Sequence, residues 1–132
     1  MNPKIWGPGG WLFLHSITLN YPENPSDKDK MFHKNFFLNL QNVLPCPNCS
    51  RHYSINLKKY PIDEALENKE LLTKWLINIH NEVNKANFKK IYTYEEVIQK
   101  YDNLYKGSNI INNIFIVIVI ALLIYFIYRE YL

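Results

Sequence analysis

The chain has 132 residues, with 15 Lys and Arg against 12 Asp and Glu. That length supports a single compact unit. The small positive charge is scattered over lysines such as Lys28, Lys30, Lys58, Lys59, Lys89 and Lys90 with no dense basic block, so the charge pattern gives no support to nucleic-acid binding. The Asn, Lys, Ile and Tyr bias carries no functional signal of its own.

The opening stretch, "MNPKIWGPGGW", lacks the apolar core of a signal peptide. The domain is therefore expected to face the cytosol, where a disulfide is more often catalytic than structural because ordinary thiols are kept reduced. Residues 1–105 read as helices. A first follows Gly9 and Gly10 through "WLFLHSITLNY" and stops before Pro22, which pushes the preceding residue out of the helical region. Ser26 offers an N-cap to a second, with Asp29 in its first turn and Phe32, Phe36, Leu40 and Val43 at helical spacing as core. A third is expected to start at the cysteines, since Pro47 suits a first turn. Leu72, Trp75, Leu76, Ile79 and Val83 mark a fourth. Thr93 with Glu96 forms a capping-box pattern opening a short fifth helix through "YEEVIQKYDNLY". No strand pattern, repeat or low-complexity linker interrupts the series.

From Ile110 to Tyr128 the chain is apolar apart from Asn112 and Asn113. About 19 residues suffice for a helix to cross a hydrocarbon core of roughly 30 Å, and Tyr125, Tyr128 and Arg129 suit an interfacial anchor. Lys100 and Lys106 precede the span and Arg129 follows it, which favours the domain on the cytoplasmic side. The expected organisation is a domain over residues 1–105 and a transmembrane tail anchor over residues 106–132.

Chemistry concentrates in "VLPCPNCSRHY", which holds the only two cysteines, Cys46 and Cys49. Three readings share this spacing. Zinc would need two further ligands from His15, His33, His52 and His80 or from carboxylates, and no histidine pair has the familiar finger spacing. A thioredoxin-like site would need strands that the pattern lacks. A redox pair at a helix N-terminus would have one thiol favoured as thiolate by the positive helix end, and would need an electron acceptor such as a flat organic cofactor. Elsewhere, His80 and Asn84 share a helix face with Asn81 nearby. Trp11 and His15 are likewise four apart, and Tyr101 sits on the fifth helix.

"WLFLHSITLNYPENP", "PCPNCSRHY" and "WLINIHNEVNK", in this order, resemble the Erv/ALR-type FAD-linked sulfhydryl oxidases, whose pattern is W-x-x-x-H, Y-P-x-x-P, C-x-x-C and H-N-x-V-N. The resemblance covers Trp6 to Tyr101. With its apolar tail, the chain looks like the small membrane-anchored oxidases of large DNA viruses, which make disulfides in the host cytosol. The resemblance implies an all-α fold, a four-helix bundle plus a short fifth helix, followed here by a single transmembrane helix in a host or virion membrane. It implies FAD as cofactor and no metal. Oxidation of partner thiols would pass electrons through the Cys46–Cys49 disulfide to FAD and then to oxygen, giving hydrogen peroxide. Carried over residue by residue, Cys49 is the cysteine beside the flavin and Cys46 the one that meets substrate. Trp11, His15, His80, Asn81, Asn84, Lys89 and Tyr101 are the cofactor-binding positions. His52 either assists the thiolate or simply packs.

Three departures from the family pattern stand out. A structural disulfide that members often carry would fall at Ile77 and Tyr94, so apolar packing must replace it. The usual L-G-K after V-N is here Asn87, Phe88 and Lys89. No shuttle cysteine pair is present, so electrons must enter Cys46 directly from a partner, with a thioredoxin-like relay protein as the natural expectation. Resemblance also implies a homodimer through the first helices. The competing reading is a membrane-anchored zinc-binding or scaffolding module without redox activity.

Overall fold

The computed structural model describes residues 1–130, with the side chains of all of them save 108–111 and 130. Its helices are α1 (Pro3–Leu19), α2 (Asp27–Val43), α3 (Pro47–Lys59), α4 (Lys69–Ala86) and α5 (Tyr94–Glu130), with a 3₁₀ turn at Asp63–Glu67 between α3 and α4. The described residues contain no strand.

Local chemistry explains most of the helix starts. Ser26 caps α2: its hydroxyl accepts from the Asp29 N–H while the Asp29 carboxylate accepts from the Ser26 N–H, a closed capping box. Asn68 caps α4 in the same way through the Leu71 N–H at 2.9 Å. The first helix begins eight residues earlier than expected, at Pro3 instead of Trp11. Asn2 accepts from the Lys4 N–H at 3.0 Å and Pro3 occupies the first turn, so the Pro8–Gly9–Gly10 run lies inside α1 instead of marking its start.

The expected core stripe of α2 is also corrected. Phe32 and Val43 are exposed, and the residue that is buried is Phe37. The helical period turns Phe37, Leu40 and Leu44 towards the core and leaves Phe32 and Val43 at the edge of that face, where Lys28 Nζ lies 5.6 Å from the Phe32 ring centroid.

Contacts divide the chain into two units, Met1–Tyr94 and Glu95–Leu132. In the first, α1 packs on α4, α4 on α3, and α3 on α2. The core between them is built from Leu14, Tyr21, Phe37, Tyr53, Leu72, Trp75, Leu76 and Ile79, with Phe37 set edge-on to Trp75 at 5.1 Å. Burying each such side chain is worth roughly 1.5–3 kcal/mol. The polar tips of three aromatic core residues are satisfied by carbonyls: the Tyr21 hydroxyl donates to Leu66 O, the Tyr53 hydroxyl to Phe37 O and the Trp75 indole to Tyr60 O. That loss of water is why the Tyr53 hydroxyl is held well above the ordinary phenol range.

The second unit consists of α5 beyond its first residue. In place of a short fifth helix and a separate span there is one continuous helix of 37 residues. Gly107 costs a helix interior about 1 kcal/mol, too little to break it, and the Lys106–Asp102 ion pair one turn earlier supports the junction. α5 is long and apolar enough to cross a membrane. The expected start of the span, Ile110, is helical, though its side chain lies outside those described.

Candidate functional site

Cys46 occupies the N-cap of α3 in an extended conformation, followed by Pro47 in the first turn, as the sequence suggests. Its sulfur is bonded to Cys49 across a Cα–Cα distance of 5.1 Å and also accepts from the Cys49 N–H at 3.2 Å. Both sulfurs therefore stand at the positive end of α3, and both residues are half-exposed, within reach of a partner thiol. The start of α1 lies beside this turn, since the Met1 nitrogen donates to Pro45 O at 2.8 Å. Because each sulfur is bonded to the other, neither is available as a zinc thiolate.

The second cluster is built by α1 on α4. Trp11 stacks on His80 with ring centroids 3.8 Å apart and planes 6° from parallel. His15 Nε2 and His80 Nδ1 are 3.0 Å apart, so one ring donates and the other accepts, and a single proton lies between them. His15 is almost fully buried. Trp11 and His15, four apart on α1, thus both meet His80 on α4. One turn beyond His80, the buried Asn84 has an Nδ2 with no hydrogen-bond acceptor. A buried amide donor left in this state costs free energy unless something supplies an acceptor, so it fits a cofactor rich in carbonyl and phosphate oxygens.

The remaining expected positions fare differently. Asn81 spends both ends of its amide on one peptide: Nδ2 donates to Tyr92 O at 2.8 Å and Oδ1 accepts from the Tyr92 N–H at 3.0 Å. Lys89 has an exposed side chain, and its backbone N–H donates to Asn84 O at 2.9 Å. Tyr101 lies on α5 in the other unit, its hydroxyl pushed up to about 12 by burial. Of the other histidines, His33 bonds Asp29 O and lies edge-on to Tyr21, and His52 is exposed on α3. Among the described residues no cluster of three or more His, Cys, Asp or Glu is arranged to hold a metal.

Sequence reasoning missed Trp6, whose buried indole N–H also lacks an acceptor and whose ring covers Gly10 at 3.4 Å from where a Cβ would stand. The only signal was the glycine four residues on. It also missed Glu82, which receives the Tyr60 hydroxyl at 3.0 Å, Lys85 at 2.9 Å and Lys59 at 3.0 Å. These contacts, Lys85 foremost and then Lys59, hold the Glu82 carboxyl down to about 2 and clamp the end of α3 to α4.

Known proteins resemble this chain in sequence and in fold. A probable FAD-linked sulfhydryl oxidase of Acanthamoeba polyphaga mimivirus is 46% identical over 100 residues, covering 75% of this chain and 70% of the relative. The FAD-linked sulfhydryl oxidase of African swine fever virus (isolate Tick/Malawi/Lil 20-1/1983) is 36% identical over 109 residues, 83% of this chain and 86% of that one. Among solved structures, the yeast Erv1 core superposes with a TM-score of 0.66 at 27% identity, covering 70% of this chain and 76% of its own. The FAD-binding domain of Erv1 from Saccharomyces cerevisiae gives a TM-score of 0.66 at 28% identity, covering 70% and 87%. The Erv1 / Alr family profile matches residues 8–102, and with the fold and the paired cysteines already in place, the chain belongs to the Erv1 / Alr family.

Proposed function

We propose that the chain is an FAD-linked thiol oxidase that makes disulfide bonds in partner proteins. The observation that carries this reading is a half-exposed Cys46–Cys49 disulfide at a helix N-terminus, in the same small bundle as a buried histidine pair and an amide donor awaiting an acceptor. A substrate thiolate attacks Cys46 Sγ; the Sγ–Sγ bond breaks and its electron pair leaves on Cys49 as thiolate. A second substrate thiol then resolves the mixed disulfide, releasing oxidised substrate and leaving Cys46 and Cys49 as a dithiol. FAD, when bound, would supply the acceptor for that electron pair, with oxygen as final acceptor and hydrogen peroxide as product, and loss of the pair and two protons returns Cys46 and Cys49 to the disulfide. Trp11, His15, His80, Asn84 and Lys89 would hold the cofactor in this proposal, with Asn84 Nδ2 available to donate to it; Tyr101 carries the same assignment from the family resemblance alone. Asn81 acts on the cofactor through the Tyr92 backbone.

The substrate is a protein thiol. Because the chain has no further cysteine to relay electrons, a small thioredoxin-like protein is proposed as the immediate donor. Residues 1–105 form the oxidase domain and residues 106–132 the anchor, with the domain on the cytosolic face; the lysines before the span support that orientation. A homodimer through α1 is supported by Ile5, Leu12 and Phe13, which are exposed on that helix.

The test uses the full chain in detergent. It is expected to be yellow, with flavin absorbance and oxygen uptake that depends on added dithiol; a folded, colourless protein would reject the proposal. Cys49→Ser is expected to stop turnover while leaving flavin bound, and full activity in that variant would remove Cys49 from its assigned place.

A further inference from the structure

The segment after α4 is fastened along that helix. Asn87 N–H bonds Asn84 O, Phe88 N–H bonds Lys85 O and Lys89 N–H bonds Asn84 O, which ends α4 in a closed Schellman turn. From there the chain runs back along one helical face. Lys74, Ile77, Asn81 and Asn84 recur at three- and four-residue spacing and share that face. Lys89 is bonded at Asn84 and Tyr92 at Asn81, and Tyr94 lies at Lys74, whose Nζ is 5.1 Å from the ring centroid. Ile77, which lies between Lys74 and Asn81 in sequence, is buried.

We propose that Asn81 is a positioning residue: its two bonds to the Tyr92 peptide hold the Asn84–Lys89 turn in the shape that binds the cofactor. This rests on the FAD-linked reading. The consequence is a site whose geometry does not depend on thiol chemistry. The chain's two cysteines are both in the catalytic pair, so reducing that pair removes no bond that shapes the 87–94 segment. A peptide gripped at both its N–H and its C=O by one amide has a single register, which a lone contact would not impose.

The experiment separates positioning from direct cofactor contact. Full-length protein carrying Cys46→Ser and Cys49→Ser, so that flavin is not turned over, is the parent, and FAD affinity is read by flavin fluorescence. Asn81→Leu is expected to weaken FAD about tenfold, the scale of two lost hydrogen bonds. Adding Ile77→Cys and Tyr94→Cys to that variant is expected to restore affinity to within about twofold when the new pair is oxidised, and to lose it again on reduction. Unchanged affinity in Asn81→Leu would overturn the proposal. So would a cross-linked variant as weak as Asn81→Leu, because Asn81 would then touch the cofactor itself. If Asn81→Leu does not fold, the cross-linked form decides: folding only when oxidised supports the latch, and failure in both states rejects it. A parent that binds no FAD would defeat the functional reading instead; the latch is then judged by slow hydrogen exchange at the Tyr92 amide, with fast exchange there rejecting it.

Discussion

Among the described residues Phe88 is the one non-glycine residue with positive φ, at 55°, and its ring is fully exposed. It stands at the position of the Schellman turn that favours a residue without Cβ. The left-handed conformation costs an L residue roughly 1–2 kcal/mol, and glycine returns part of that through its freer unfolded chain. Phe88→Gly is therefore expected to raise stability by about 0.5–1 kcal/mol, read as a higher denaturant midpoint with unchanged slope. A lower midpoint would mean that the ring makes contacts it does not show here. The same scale exposes a limit of sequence reading. Asn81 looked like one more polar group beside a cofactor, because a side chain that grips a peptide eleven residues away leaves no trace in any periodicity.

At the scale of elements, two clamps hold the frame around the cysteines. Ser26→Ala opens the capping box of α2 and is expected to cost about 1 kcal/mol in a thermal or chemical melt, with no change in the flavin spectrum. Glu82 joins α3 to α4. Its carboxyl is depressed from 4.5 to about 2 in the folded chain, so its contribution is complete above the ordinary value and fades as pH falls from there towards about 2. Glu82→Gln should thus be less stable than the parent at neutral pH by at most about 1 kcal/mol, since Lys59 and Lys85 are more than half exposed and solvent screens them. The difference should shrink across that acid window; a constant gap from neutral pH to pH 2 would assign the loss to packing. Helix starts at Ser26 and at the cysteines were legible because capping is local chemistry. The start of α1 was not, because Pro8, Gly9 and Gly10 speak against a helix locally and only the Asn2 cap and the packing of Leu14, His15 and Thr18 outweigh them. The meeting of Trp11 with His80 was half legible: each helix showed its own polar pair, but their contact is a fact of how α1 lies on α4.

At the scale of the whole molecule the question is what covers α5. Residues 112–129 are exposed on every face, whereas a core helix of a soluble protein would be buried along at least one stripe. From Ile110 to Tyr128 the helix rises about 28 Å, close to the thickness of a hydrocarbon core. A lipid bilayer would remove this much apolar surface from water without a second protein face. Charge placed along the helix distinguishes the two cases by depth. Ile118→Arg, near the middle of the span, is expected to cost about 2.5–3.5 kcal/mol of insertion and to move a measurable fraction of the protein out of carbonate-washed membranes. Tyr128→Lys, at the end, is expected to leave the protein in them, since a lysine there reaches the interface along its own stem. In both variants the melting of the Met1–Tyr94 unit should be unchanged. If Ile118→Arg lowered that melting temperature by several degrees, the apolar helix would be packing on protein, and the tail would belong to the fold rather than to a membrane.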